Sequence, residues 1–303
     1  MLKIKIPKEA TSLRIDVGLS HNSPNLSNWV GHMSSCFVIG IEPLRECFDS
    51  SRTLLSVFPH KEHAYDYTFF IEAAVDDVAS PQLGDFFIPA DIRQKGCSSL
   101  KNPNPAGPLK EIGKREVVRV SLKYILDRVD WETTDIQYIE YLKTDTQGNE
   151  LSVLKSLGEY LQKIVCIEIE CSTGDEYTNP ETEEEIIKFL EENNFQFLKN
   201  CHDSWREDID GGRFLDKIFI NKSFLHLKDF IRTDFPEDAR IVGFDTGESI
   251  VCAACHHATI YMGVLDAVYR FPDLVERSQQ YAGIDKLKNY FSFDKSSLEK
   301  IND

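Results

Sequence analysis

The sequence predicts an α/β protein built on a largely parallel sheet. Three observations point there. Short apolar runs alternate with helical patterns from residue 13 to residue 221, as strand–helix–strand units do. The first run, Leu13-Arg14-Ile15-Asp16-Val17, ends on Gly18 and turns polar before a helical pattern opens near Asn25. About 24 residues later a second run, Phe37 to Ile41, ends in Glu42-Pro43. In open α/β sheets ligands lie at the carboxyl ends of strands, and an acid at the tip of the second strand can accept the protons of ribose hydroxyls.

The elements follow in order. Met1 to Pro7 alternates apolar and charged residues and reads as a short edge strand or lead-in. After the first strand and its glycine turn, Leu26, Trp29 and Val30 share one helical face, with Asn and Ser as cap candidates. Arg45 to Leu54 reads as the next helix and residues 59–66 as a loop. The third strand is Tyr67 to Val75, closing on Asp76-Asp77. Phe86 to Pro89 suits an edge or hairpin strand because of its proline. Lys95 to Gly113, rich in Gly, Pro, Asn, Ser and Lys, is a loop and a candidate lid. Val117 to Val120 is a short strand, and Ser121 then caps a helix over Leu122 to Val129.

The fourth core strand, Ile139 to Lys143, runs into Thr144-Asp145-Thr146-Gln147-Gly148-Asn149-Glu150 and a helix carrying Leu151, Val153, Leu154 and Leu157. The fifth is Lys163 to Glu170, followed by an acidic helix over Glu181 to Asn193. Phe195 to Leu198 and Phe214 to Ile220 finish the sheet as a hairpin pair, with a polar loop at Cys201 to Arg206 between them. From Asn221 the pattern turns helical, over Phe224 to Ile231, Ile250 to Phe271 and Asp285 to Phe291. The chain therefore divides into a core over residues 1–221 and a helical extension over 222–303.

Composition narrows the function. A formal net charge of −16 argues against a broad electrostatic grip on nucleic acid or on an anionic membrane. No stretch reaches the roughly 18 uninterrupted apolar residues of a membrane span, and the N-terminus lacks the apolar core of a secretory signal. Eight scattered cysteines, mostly in apolar surroundings, read as reduced, in a cytoplasmic setting. Cys252-Ala253-Ala254-Cys255-His256 has the spacing of a haem attachment but lies in an apolar helical stretch, where two core cysteines are the default reading and zinc the rival.

Two stretches carry a family resemblance: Ile15-Asp16-Val17-Gly18 with Glu42-Pro43, and Lys143-Thr144-Asp145-Thr146-Gln147-Gly148-Asn149-Glu150-Leu151. The second is the more specific. Over residues 13–221 the sequence resembles the FkbM family of S-adenosylmethionine-dependent methyltransferases, and Ser98-Ser99-Leu100 fits as well. The resemblance implies a Rossmann-like seven-stranded methyltransferase sheet, mostly parallel with its last strand antiparallel, here with a helical C-terminal extension. It implies methyl transfer from S-adenosyl-L-methionine, commonly to a hydroxyl of a carbohydrate or other small molecule. One position departs from the pattern: Ser20 stands where methyltransferase loops usually carry a second glycine.

The resemblance assigns roles residue by residue. Asp16, Val17, Gly18, Ser20, His21 and Asn22 form the loop over the methionine part of the cofactor, with Asp16 ordering it. Glu42 takes the ribose. Ala74, Val75 and Asp76 flank the adenine. Asp145 closes the fourth strand, and three roles are open to it: general base, metal ligand, or holder of the cofactor amine. A sugar hydroxyl is a poor acid, so a carboxylate or histidine within reach of it is expected. Glu168 and Glu170 point to one side of their strand, with Glu170 nearer its end. Asp145 with Glu170 would make an oxygen pair for Mg²⁺, although no metal set is assigned. Glu150 either supports its helix start or faces substrate. His202 is a further candidate base. The rivals are a non-catalytic interaction module on the same fold, and a nicotinamide-dependent dehydrogenase. The absent G-x-G-x-x-G after the first strand counts against the second.

Overall fold

A computed structural model describes residues 2–20, 25–26, 29–30, 35–47, 66–90, 96–110, 112–172, 176–200, 214–227, 290–293 and 298. Its centre is an eight-stranded sheet. The strands are β1 (Ser12–Val17), β2 (Cys36–Ile41), β3 (Thr68–Glu72), β7 (Ile139–Thr144), β8 (Ile164–Ser172), β9 (Phe195–Asn200), β10 (Phe214–Asn221) and β11 (Tyr290–Ser292). Their spatial order is β11-β3-β2-β1-β7-β8-β10-β9. All neighbours are parallel except β10, which runs antiparallel to both β8 and β9.

Burial on both faces explains the near-continuous apolar strands. One face packs Ile15, Phe37, Leu142 and Ile167 against helices α1 (Leu122–Leu126), α2 (Glu150–Lys155) and α3 (Glu183–Glu192). The other packs Val38, Phe70, Tyr141 and Val165 against Leu26, Trp29 and Val30, at positions that are helical. Ser121 accepts a hydrogen bond from the Tyr124 N–H and caps α1, and Thr182 with Glu185 forms a capping box on α3. Met1 to Pro7 contributes only a bridge, Ile4 beside Val129.

Three sequence expectations change. The run Tyr67 to Val75 is not one strand. It breaks at Ala73, and Ala74–Val75 becomes β4 of a second, three-stranded sheet with β6 (Ile112–Val120) and β5 (Gln82–Pro89). Glu72 interrupts the apolar run just before the break, but a single acid within a strand does not mark where the chain leaves one sheet for another. The large sheet has eight strands and not seven: residues 12–221 supply seven of them and the tail supplies the eighth. Tyr290 to Ser292 is a strand parallel to β3, not the end of a helix over 285–291. So short an aromatic run serves a strand as well as a helix. Lys222–Leu227 is a 3₁₀ segment. The expected helices at 228–231, 250–271 and 285–289 lie outside the described residues, as does all of 48–65. No helix among the described residues is long and apolar enough to cross a membrane.

Candidate active site

The chain winds outward from β1 through β2 to β3 and then returns to lay β7 on the other side of β1. That reversal is the position where doubly wound sheets open a crevice at their carboxyl ends. Two loops meet there. The Asp145 N–H donates to the Val17 carbonyl (3.1 Å), and the Gly18 N–H to Ile41 (3.0 Å). Gly18 has φ +85°, and a Cβ on it would fall 2.0 Å from the Asp145 carbonyl oxygen. The glycine is therefore required by the neighbouring backbone as well as by its own left-handed conformation.

Asp16 and Glu42 order the first loop from below. Asp16 accepts the Leu26 N–H at 3.0 Å and fixes the start of the following helix. Glu42 accepts the Ser20 N–H (3.0 Å) on one oxygen and the Leu44 N–H (2.9 Å) on the other. A carboxylate has about four lone-pair sites, so each oxygen keeps one for a further donor. Burial pushes both acids up to about 7, against the pull of these N–H groups. Ser20 adopts φ +54°, so the chain keeps a glycine-like conformation there with a side chain in place.

The second loop is closed by its own residues. Glu150 accepts the N–H groups of Thr146 (2.8 Å) and Gly148 (2.9 Å). Burial raises it to about 7 as well. Gln147, at φ +59°, donates both amide hydrogens to carboxylates, one to Asp145 (2.8 Å) and one to Glu170. Asn149 donates to the Val75 carbonyl at 3.1 Å and ties this loop to β4.

Beside Gln147 a buried ammonium gathers acids from two strands and the loop after β7. Lys143 Nζ lies 3.3 Å from Asp216, 3.7 Å from Asp145 and 3.8 Å from Glu168. The register makes this so: Asp16, Lys143 and Glu168 are cross-strand neighbours on β1, β7 and β8, and Glu170 stands opposite Asp216 on β10. Burial opposes the charge on Lys143, but the surrounding acids outweigh it and hold its pKa well above the ordinary value. Burial raises Glu168, against the pull of Lys143; it accepts the Tyr141 hydroxyl at 2.6 Å. One Asp216 oxygen is buried without a hydrogen-bond partner among the described residues. Asp145 keeps 29% of its side chain exposed, whereas Glu170 is buried.

A strip from the lid covers this loop. The Ser99 hydroxyl donates to the Gln147 carbonyl (2.7 Å), and the Tyr177 hydroxyl to Cys97 (2.6 Å). Lys101 pairs with Glu181 (3.2 Å), which also accepts from the first turn of α2. Ala74 and Val75 line β4. Asp76 is ion-paired with Arg119 through Oδ2 and accepts the Asp77 N–H on Oδ1 (2.8 Å), so only Oδ1 keeps a lone pair for a further donor. His21, Asn22 and His202 lie outside the described residues.

The description "Methyltransferase FkbM domain" matches residues 16–197, from Asp16 through β9. The chain belongs to the FkbM methyltransferase family. Among solved structures, an FkbM methyltransferase from Methylobacillus flagellatus KT shares 14% identity at a TM-score of 0.43 over 73% of this chain and 45% of that one. A SAM dependent methyltransferase from Aquifex aeolicus shares 12% at 0.34, over 71% and 84%. A putative rRNA-methylase from Clostridium thermocellum shares 8% at 0.35, over 70% and 89%. Scores this low leave the family match to stand by itself, and this FkbM chain spans less than half the length of the FkbM structure. No curated protein matches it.

The donor set of the FkbM chain fits S-adenosylmethionine. Among the described residues, buried acids outnumber buried cations at the strand ends, one Asp216 oxygen has no hydrogen-bond partner, and Glu42 keeps free lone pairs. A ligand with cationic groups and ribose hydroxyls meets both conditions. Sequence reasoning assigned no role to Lys143 or Gln147, although both stood in the quoted motif. A lysine among the apolar residues Tyr141 and Leu142 of a core strand was the available signal for Lys143.

Proposed function

We propose that this FkbM chain is an S-adenosylmethionine-dependent methyltransferase that methylates a hydroxyl oxygen of a carbohydrate or another small molecule. The observation that carries the reading is the meeting of the Gly18 loop, the Glu42 carboxylate and Asp145 at the sheet's reversal point. When bound, S-adenosylmethionine supplies an electrophilic methyl carbon on a sulfonium.

The chain's own residues hold and orient. Glu42 receives the ribose hydroxyls on its remaining lone pairs, while Asp16 and the Ser20 N–H keep the loop in place. Asp145, the exposed acid of the cluster, takes the proton of the acceptor hydroxyl as its oxygen attacks. Glu170 acts at one remove, fixing Gln147 and through it Asp145. The strip over residues 97–104 shields the loop from water. Such a transfer depends mostly on alignment, which these interlocked loops provide. A small-molecule or glycan acceptor, with no nucleic acid and no membrane, suits the acidic composition.

Calorimetry with S-adenosylmethionine and with NAD tests the reading. Saturable binding of the first and none of the second is expected. A folded chain that binds no S-adenosylmethionine would refute it.

A further inference from the structure

We infer that the Lys143 ammonium is the resident cation of the strand-end carboxylates, filling the place a divalent metal would take between Asp145, Glu168 and Asp216. Its three acid partners lie 3.3 to 3.8 Å away, within ion-pair range of an ammonium although longer than the roughly 2.7–2.9 Å of a tight charged hydrogen bond. Mg²⁺ needs oxygens at roughly 2.0–2.1 Å and Ca²⁺ at roughly 2.3–2.6 Å. The acids are therefore spread about 1 Å too wide for either ion while Lys143 stands among them. Gln147 holds the remaining pair apart, since its two amide hydrogens bridge Asp145 and Glu170. An oxygen pair that would otherwise converge on a metal is occupied by a neutral donor.

Lys143 is also a fixture. Its side chain is 6% exposed, and it is placed by the register of β7 between β1 and β8. Asp16, Asp145, Glu168, Glu170 and Asp216 face it from β1, the loop after β7, β8 and β10. Losing one cation from a group with so many acids leaves charge that a small divalent ion can replace. Under the methyltransferase reading, Lys143 is a positioning residue: it holds Asp145 without touching the acceptor, and the reaction needs no added metal.

The test titrates Ca²⁺ and Mn²⁺ into the full chain, read by calorimetry and by melting temperature. The unaltered protein, Asp145→Asn, Lys143→Ala and the double variant Lys143→Ala/Asp145→Asn are compared. The unaltered protein is expected to show no ion site that Asp145→Asn removes. Lys143→Ala is expected to gain one, roughly tenfold or more tighter than any weak binding before it, and to melt higher with the ion. Adding Asp145→Asn is expected to remove the gain. A variant that folds only with the ion would support the inference equally. An Asp145-dependent site in the unaltered protein would overturn it. So would a folded Lys143→Ala that gains no site, a gain that survives Asp145→Asn, or a variant that neither ion restores. No readout involves S-adenosylmethionine, so this result and the calorimetry of the proposed function fail separately.

Discussion

Replacing Glu42 with Gln keeps the shape of the side chain and removes its charge. In the fold this carboxylate sits near pKa 7, against an ordinary 4.5. At pH 8 its ionisation therefore costs the folded state roughly 3 kcal/mol. Gln avoids that cost. It has one acceptor oxygen where Glu42 serves two N–H groups, Ser20 and Leu44. An N–H left without its acceptor costs about 1–3 kcal/mol. The two effects offset, so urea unfolding at pH 8 should change by no more than about 2 kcal/mol in either direction. Binding behaves differently. Two charge-assisted ribose contacts become one neutral acceptor and one misplaced donor, which should weaken S-adenosylmethionine about 10- to 100-fold. Calorimetry at pH 8 and urea titration on the same samples read both quantities. Unchanged affinity in a folded Glu42→Gln protein would refute the ribose assignment.

Gly18→Ala should cost more than about 3 kcal/mol in urea unfolding, because its Cβ would overlap the Asp145 carbonyl as well as strain φ. Gly113→Ala, whose nearest neighbour would be 3.5 Å away, should stay within about 0.5 kcal/mol. Ser20→Gly should stabilise by up to about 1 kcal/mol by relieving the left-handed conformation, visible as a small rise in melting temperature. Stability of the ligand-free protein should fall as pH rises. Asp16, Glu42 and Glu150 keep protons in the fold up to about 7 that the unfolded chain releases near 3.8 to 4.5. The decline begins above pH 4 and is complete above pH 7, and each group contributes roughly 3 to 4 kcal/mol. Urea curves at pH 5, 6, 7 and 8 measure it, and a rise in stability across that range would contradict the buried placement of these acids.

Local patterns predicted most of the sheet. β1, β2, β7 and β8 are apolar runs bounded by turns, and the antiparallel pair β9 and β10 followed from two short aromatic runs. Glu42 and the Asp16–Gly18 turn were legible because each role is fixed by a few consecutive residues. Lys143 was not. Its partners come from the loop after β7, from β8 and from β10, and the register of the strands brings them together. The same holds for Gln147, which links Asp145 to Glu170 across two strands. Arg14 is another case. It lies fully buried in β1, paired with Glu140 at 3.1 Å and set 5.1 Å from the rings of Trp29 and Tyr141. Within the first apolar run it looked like an interruption. The break at Ala73 was hidden for the opposite reason, since both sheets accept the same residues.

The strand β11 has a consequence for how the chain reaches its fold. Tyr290 lies 218 residues after Glu72, whose carboxylate it shares with Arg45. Until that stretch has been synthesised, the outer side of β3 offers unpaired peptide groups to any passing strand. Closing so long a connection is slow, though its entropic cost grows only with the logarithm of its length. A ribosome-bound chain stopped before residue 290 would hold the whole 12–221 sheet with a sticky rim, and would depend on chaperones in a way the finished protein does not.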